Sequence, residues 1–133
     1  MFGGRWNHMG VRVVYMSTSV ALAAVETFVN IDPSQAPDDL IVSEAILPPS
    51  LLIETVDVLT PPWPPSLDDT RESGSRWLTQ RRSVALRVPS FAVEGDWNVL
   101  INPEHPEFNS ITLQPPRPWH FDARMFRRAA PGR

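Results

Sequence analysis

All fifteen prolines of this 133-residue chain follow Asn30, and they are spread over the whole remainder of the sequence. Proline lacks a backbone N–H and clashes with the preceding helical turn, so it ends helices and is confined to the edges of sheets. The sequence therefore predicts short strands and loops after Asn30, with no long helix there.

Two regular elements are predicted before the first proline. Residues 11–16 are β-branched and aromatic, which is typical of a strand. Hydroxyl residues at 17–19 can cap a helix, and residues 20–30 carry apolar side chains at helical spacing. Glu26 lies beside this apolar stripe and not on the fully solvated side of the helix.

The proline-rich part is predicted to alternate short strands with loops. Residues 61–75 are interpreted as a long loop, with one helical turn around Trp77 and a last one over 122–125. The sequence thus predicts a single α+β domain over residues 1–133, with mostly antiparallel sheets, few short helices and most strands in the second half. The predicted strands and extended pieces are residues 40–47, 51–58, 83–88, 98–101, 108–113 and 119–121.

The composition excludes several classes of chemistry. Hydrophobic content of 42% and charged content of 20% fit a folded domain. A net charge of −3 provides no basic field for nucleic acid. The absence of cysteine excludes disulfides, thiolate nucleophiles and thiolate metal sites, and the absence of lysine excludes a Schiff-base mechanism. The three histidines lack metal-ligand spacing, so no metal site is expected.

Targeting signals are also absent from the sequence. No apolar run approaches the roughly 20 residues that a membrane span requires, and the first residues lack the apolar core of a signal peptide. A cytoplasmic location without membrane association is therefore expected.

Three side chains with complementary chemistry lie within 22 residues of one another, on consecutive predicted elements. The guanidinium of Arg5 can bind a phosphate, the ring of Tyr15 can stack on a planar heterocycle, and the carboxylate of Glu26 can stabilise a developing cation. This set suits a site that binds a dinucleotide and breaks its glycosidic bond.

Each candidate has an ordinary structural alternative. Arg5 follows two glycines that permit close backbone approach to a ligand, but it is also explained as a surface residue of a terminal loop. Tyr15 is also explained as a packed strand residue, and Glu26 as a rim residue paired to an arginine. Ser90 and Asn102 follow predicted strands and can contact a ribose or phosphate, but a loop cap and an Asn-Pro turn explain them equally.

With these residues in place, the chain resembles the RES-domain proteins, the toxin half of bacterial RES/Xre toxin–antitoxin pairs. The Arg, Glu and Ser that name the family match Arg5 in Gly-Gly-Arg-Trp-Asn, Glu26 in Leu-Ala-Ala-Val-Glu and Ser90 in Arg-Val-Pro-Ser. Supporting segments occur in order along the whole chain, at residues 13–15, 100–103, 105–108 and 121–124.

The resemblance implies a fold similar to the diphtheria-toxin-like ADP-ribosyltransferases. It also implies hydrolysis or phosphorolysis of the nicotinamide–ribose bond of NAD, which is a substrate here, with inorganic phosphate as a co-substrate and no resident cofactor. Arg5 would grip the pyrophosphate, Tyr15 would stack on the nicotinamide or ribose, and Glu26 would stabilise the ribosyl cation. Ser90, with Asn102 as a weaker candidate, would complete the ribose or phosphate contacts.

The family also implies an Xre-type antitoxin as partner and assembly into a homodimer or a larger toxin–antitoxin complex, without direct nucleic-acid binding. Family members usually carry a segment before the Gly-Gly-Arg-Trp motif, whereas only Met1 and Phe2 precede it here. Either the start is placed too late, or this is a shortened variant that lacks one strand. Two alternatives to NAD breakdown also stay open. One is an ADP-ribosyltransferase that acts on a protein, and the other is an inactive remnant that binds the antitoxin.

Overall fold

The computed structural model describes residues 4–32, 34–57 and 64–126. In chain order the described elements are β1 (Val14–Ser17), α1 (Val20–Phe28), β2 (Ile41–Val42), β3 (Ala45–Ile46), β4 (Ile53–Thr55), α2 (Leu67–Gln80), β5 (Ala85–Pro89), β6 (Trp97–Ile101), a 3₁₀ helix (Pro106–Ser110), β7 (Thr112–Leu113), β8 (Arg117–Pro118) and a second 3₁₀ helix (Ala123–Phe126). This mixture of helices and mainly antiparallel strands confirms the predicted α+β class.

A four-stranded sheet in the order β1-β6-β5-β4 forms the centre of the fold. β6 pairs antiparallel with both β1 and β5, whereas β4 pairs parallel with β5. Two antiparallel pairs, β2 with β8 and β3 with β7, lie outside this sheet. Because paired residues share a face of a sheet, the register places Tyr15, Leu100 and Leu86 on one face, which we call the front face.

Hydrophobic residues pack on both faces of the central sheet. The cluster that includes Leu86 and Leu100 of the front face consists of Trp6, Val56, Trp77, Leu78, Leu86, Val88 and Leu100. The opposite, back face carries a second cluster of Leu51, Val84, Ala85 and Ile101. Burial on both sides fixes the strand register, because a slip by one residue would exchange the two faces.

Helix α1 forms where the sequence predicts it and ends two residues earlier, at Phe28. Ser19 is its N-cap, and the Ser19 hydroxyl accepts a hydrogen bond from the Leu22 backbone N–H at 3.0 Å. Leu22 is buried, and the Asn30 side chain donates to the Glu26 backbone carbonyl at 2.8 Å. Glu26 therefore lies in the last turn of the helix, two residues before its end.

The prediction of a loop over residues 61–75, with no long helix after Asn30, was wrong in its described part. Helix α2 has 14 residues and begins directly after Ser66, whose side chain accepts from the Asp69 N–H at 3.1 Å. The nearest described prolines precede this cap, so they do not interrupt the helix. The buried residues of α2 follow the i, i+4, i+7, i+8 pattern of a helix, but two are Thr70 and Gly74, and the apolar pattern was therefore missed.

Other strand boundaries also differ from the prediction. Residues 40–47 form two short strands instead of one, and Trp119–Phe121 is not a strand. Residues 106–110 are a 3₁₀ helix because Pro106 follows His105, whose ring accepts from the Glu107 N–H and caps the turn. Of the described strands, four precede α2 and four follow it. The prediction that most strands lie in the second half was therefore wrong.

Neither described helix has the length and apolar character needed to cross a membrane.

Candidate active site

Three strand ends of the central sheet meet at one edge. β1 ends at Ser17, β6 begins next to it at Trp97–Asn98, and β5 ends at Pro89, directly before Ser90. Ser17 and Asn98 are register partners, so both lie on the front face. Helix α1 follows β1 and carries Glu26 to this same edge.

The Glu26 carboxylate accepts hydrogen bonds from two neutral donors, one in the loop after β5 and one in β6. The Ser90 hydroxyl donates to Glu26 Oε1 at 2.7 Å, and the Asn98 Nδ2 amide donates to the same oxygen at 2.8 Å. Within the described part of the chain, Oε2 has no hydrogen bond. The side chain is thus fixed through one oxygen while the other remains available.

Ser90 is buried and integrated into the loop after β5. Its backbone N–H donates to the Asp96 carbonyl at 2.8 Å, and its hydroxyl oxygen accepts from the Ala92 and Val93 N–H groups at 3.2 and 2.9 Å. Ser90 therefore performs the predicted loop-cap role and also donates its hydroxyl proton to Glu26.

Asn98 and Ser17 were not identified from the sequence. The Ser17 hydroxyl donates to Asn98 Oδ1 at 2.6 Å, which extends the polar cluster from Glu26 to the end of β1. The signal that could have found them is the pairing of β1 with β6, because this register places two small polar residues beside Glu26.

Tyr15 points its hydroxyl at the loop formed by residues 4–7. That hydroxyl donates to Asn7 Oδ1 and accepts from the Trp6 N–H at 3.1 Å. Burial raises the Tyr15 pKa above its ordinary value of 10.0, although the Trp6 hydrogen bond and the Arg71 charge oppose this shift. The residue as a whole is 45% exposed, although its hydroxyl is held in these two hydrogen bonds.

Arg5 belongs to the same loop, and its guanidinium lies 4.3 Å from the centre of the Phe91 ring. Phe91 follows Ser90 directly, so this cation–π contact connects the Arg5 loop with the Glu26 cluster. The backbone of the loop is bonded to α2: Thr70 Oγ1 donates to the Arg5 carbonyl at 2.5 Å, and Arg71 Nε donates to the Gly4 carbonyl at 2.8 Å.

Glycine is required at two points of this contact. A Cβ at Gly4 would lie 2.4 Å from the Tyr15 hydroxyl oxygen, and one at Gly74 would lie 1.8 Å from the Trp6 carbonyl oxygen. The loop can therefore approach both Tyr15 and α2 only because neither position carries a side chain.

Asn102 does not join the cluster. It is 1% exposed, its amide donates to the Leu78 carbonyl at 3.0 Å, and its Oδ1 accepts from the Glu104 N–H at 3.0 Å. These contacts connect the last turn of α2 with the turn after β6. The structure thus brings Arg5, Glu26 and Ser90 to this end of the sheet, with Arg5 reaching it through Phe91. Tyr15 lies two residues before the end of β1, against the Arg5 loop, and Asn102 lies inside the core.

Neither of the two best-formed hollows of the described chain includes Arg5, Tyr15, Glu26 or Ser90. The first hollow, of about 630 Å³, is lined by residues 31, 32 and 35–38. The second, of about 60 Å³, lies between α1, β2 and Trp119. Among the described residues, no group of three His, Asp or Glu side chains is arranged to hold a metal ion.

Comparison with known proteins gives consistent results. The RES domain family model matches residues 1–123. A protein of Sphingobium sp. (strain YBL2) named Prs ADP-ribosylating toxin is 37% identical, over 96% of this chain and 83% of its own length. A protein of Yersinia enterocolitica named Toxin Res is 32% identical, over 93% of this chain and 84% of its own length. A protein of Photorhabdus laumondii with the same name is 33% identical, over 82% of this chain and 72% of its own length. From the family match and these identities over nearly the whole sequence, it follows that the chain belongs to the RES domain family.

Proposed function

We propose that this protein is a toxin that breaks the nicotinamide–ribose bond of NAD, with water or inorganic phosphate as the acceptor. The observation that carries the proposal is the Glu26 carboxylate, which is bonded through Oε1 to Ser90 and Asn98 and has Oε2 available. A carboxylate held in a fixed position is the group that this reaction needs beside the ribose.

The chemistry needs one carboxylate because the leaving group is already cationic. When the bond between the ribose C1′ and the nicotinamide nitrogen breaks, its electron pair leaves with neutral nicotinamide, so no general acid is needed. The ribose becomes an oxocarbenium-like cation, which the negative charge of Glu26 stabilises. Water then adds to C1′ and releases a proton, or phosphate adds and gives the 1-phosphate of ADP-ribose.

Arg5 and Tyr15 supply the binding groups in this proposal. The planar guanidinium of Arg5 offers several N–H donors to the pyrophosphate, and its stacking on Phe91 keeps it extended at the site. The ring of the partly exposed Tyr15 offers a flat surface to the nicotinamide or ribose. Ser90 orients the Glu26 carboxylate through the hydrogen bond that its hydroxyl donates.

A protein that consumes NAD in the cytoplasm must be inhibited in the cell that makes it. We therefore include an Xre-type antitoxin as the partner, consistent with the relatives that are named Toxin Res. Binding over the Arg5 and Glu26 side of the sheet would block the substrate.

The test is the release of nicotinamide from NAD by the purified protein, with and without phosphate. We expect Glu26→Gln to lower the rate by about 10²- to 10³-fold, because the amide cannot supply the negative charge. Glu107→Gln, in the exposed 3₁₀ helix, is the matched control and should keep wild-type activity. A Glu26→Gln protein as active as wild type would contradict the assigned role.

A second candidate is transfer of ADP-ribose to a protein, favoured by the name of the Sphingobium relative. Both reactions share the bond that breaks and differ in the acceptor. Mass spectrometry of a lysate incubated with the protein and NAD separates them. Modified proteins indicate transfer, whereas free ADP-ribose or its phosphate indicates NAD breakdown.

A further inference from the structure

We infer that Asn98 is a positioning residue for Glu26, and that Ser17 sets the orientation in which Asn98 acts. The inference rests on the proposed cleavage of NAD and adds to it a group that the Arg-Glu-Ser pattern does not contain. It depends on the continuous contact from Ser17 Oγ to Asn98 Oδ1 at 2.6 Å and from Asn98 Nδ2 to Glu26 Oε1 at 2.8 Å.

The first step concerns the orientation of the amide. An asparagine side chain can present either its NH₂ group or its carbonyl oxygen to a neighbour. In this site the Ser17 hydroxyl donates to Oδ1, so the NH₂ group faces the Glu26 carboxylate. The reverse orientation would bring the carbonyl oxygen against a carboxylate oxygen, and both are acceptors only. The arrangement therefore has one favourable state.

The second step concerns the carboxylate itself. A single donor at Oε1 would leave the carboxylate free to rotate about that contact. Ser90 approaches from the loop after β5 and Asn98 from β6, so two donors from separate elements fix both the position and the plane of the carboxylate. The remaining oxygen, Oε2, is then presented in a constant direction to the reacting ribose.

The third step concerns the kinetic signature. The positive charge that Glu26 stabilises develops only in the transition state, so a misdirected carboxylate lowers kcat without weakening the binding of NAD. Small errors in the placement of a reacting group cost up to about 100-fold in rate. We therefore expect Asn98 substitutions to reduce kcat by about 10- to 100-fold and to leave KM within about twofold.

The decisive variant is Asn98→Asp, which has nearly the same shape. At about pH 8 the introduced carboxylate faces Glu26 Oε1 as a like charge, and kcat falls. When the pH is lowered until the pair of carboxyls takes up one proton, that proton restores a donor toward Glu26 and the same net charge as in the wild type. The described side-chain hydrogen bonds of Glu26 and Asn98 include no other ionisable side chain. Arg5, stacked on Phe91 next to Ser90, is the other charged side chain placed in this site. We expect kcat relative to wild type to recover about fivefold or more at the lower pH.

Asn30→Asp is the matched control. Asn30 contacts the same glutamate, but through the Glu26 backbone carbonyl and at the exposed end of α1. This variant should keep kcat and KM within about twofold of wild type at both pH values, because the Glu26 side chain is not involved. Ser17→Ala should resemble Asn98→Ala in direction with a smaller loss, because the amide is no longer held in one orientation.

A second readout does not depend on activity. The side-chain NH₂ signal of Asn98 in an NMR spectrum, assigned by its loss in Asn98→Ala, should shift in Glu26→Gln and stay unchanged in Glu107→Gln. If wild-type protein releases no nicotinamide, the proposed function fails, and this spectrum decides on the contact by itself. An unshifted signal, an Asn98→Asp variant with wild-type kcat at pH 8, or a loss that is the same at both pH values overturns the inference.

Discussion

The side chains of the candidate site are held by hydrogen bonds at the ends that face the protein. The hydroxyl of Tyr15 is bonded to Trp6 and Asn7, and the residue as a whole remains partly exposed. Glu26 is bonded through Oε1, and Oε2 remains available within the described residues. Because these side chains are already ordered in the free protein, they would lose little conformational entropy on binding a substrate. The site is preorganised in this sense.

The ionisation of Tyr15 is a prediction at this scale. Because burial raises its pKa, the phenol should titrate above pH 10.0 in the folded protein. A raised pKa means that folding favours the neutral phenol. Its contribution to stability is complete below the unfolded value and is lost as the pH rises through the folded value. Tyr15 is the only tyrosine, so the near-ultraviolet absorbance of tyrosinate, followed from about pH 8 upward, reports it alone.

Tyr15→Phe is the control for this titration and should show no tyrosinate signal. A midpoint at or below pH 10.0 in the folded protein would contradict the buried position of the hydroxyl.

Some residues of the candidate site could be identified from the sequence, and others could not. Arg5, Glu26 and Ser90 could be selected because each occurs in a short local motif that matches the Arg, Glu and Ser of the RES family. Ser17 and Asn98 lie 81 residues apart and become neighbours only through the pairing of β1 with β6. Long-range register is not encoded in either local segment, so these two partners of Glu26 required the structure.

At the scale of elements, α2 supports the site without contributing a reacting group. Thr70 is fully buried and donates to the Arg5 carbonyl, and Gly74 allows the backbone of Trp6 to approach the helix. The helix therefore determines where the Arg5 loop lies relative to the central sheet. A shift of α2 would displace the guanidinium from Phe91.

Gly74→Ala tests this support. Alanine in a helix interior is normally stabilising by about 0.5–1 kcal/mol relative to glycine. Here the added Cβ would lie 1.8 Å from the Trp6 carbonyl oxygen and 2.8 Å from the Trp6 carbonyl carbon, so backbone must move. We expect the free energy of unfolding in urea to fall by about 1–3 kcal/mol and KM for NAD to rise.

Ser73→Ala, one position earlier in α2, is the matched control for helix propensity and should be neutral or slightly stabilising. If Gly74→Ala were as stable as Ser73→Ala, the close contact between α2 and the Trp6 backbone would be refuted.

The elements themselves were predictable to different degrees. Strand β1 and helix α1 follow from β-branched residues, a serine cap and apolar spacing, all of which are local. Helix α2 was missed because two of its four buried residues, Thr70 and Gly74, are not apolar side chains. They are buried because the Arg5 loop packs against them. The apolar pattern of a helix thus fails as a predictor where the helix packs on polypeptide backbone and not on side chains.

At the scale of the whole molecule, the sheet connects a core on each face, and Asn102 links the sheet to α2. Its backbone N–H donates to the Val84 carbonyl, its side-chain Nδ2 donates to the Leu78 carbonyl, and its side-chain Oδ1 accepts from the Glu104 N–H. With 1% exposure it has no surface to offer a nucleotide in this conformation. These contacts favour the structural alternative for Asn102 over its predicted place in the ribose and phosphate contacts.

Asn102→Ala separates these two roles, because a structural and a binding residue affect different measurements. Removal of the amide would leave the Leu78 carbonyl without its partner in a buried contact, and the N–H of the exposed Glu104 would lose its Asn102 acceptor. An unpaired buried polar group costs about 1–3 kcal/mol, so the free energy of unfolding should fall by about that amount. KM and kcat for NAD, measured well below the unfolding temperature, should stay within about twofold of wild type, because a fold that still forms keeps Arg5, Tyr15 and Glu26 in place. A several-fold rise in KM with unchanged stability would instead return Asn102 to the substrate site, since only a direct ligand contact weakens binding without weakening the fold.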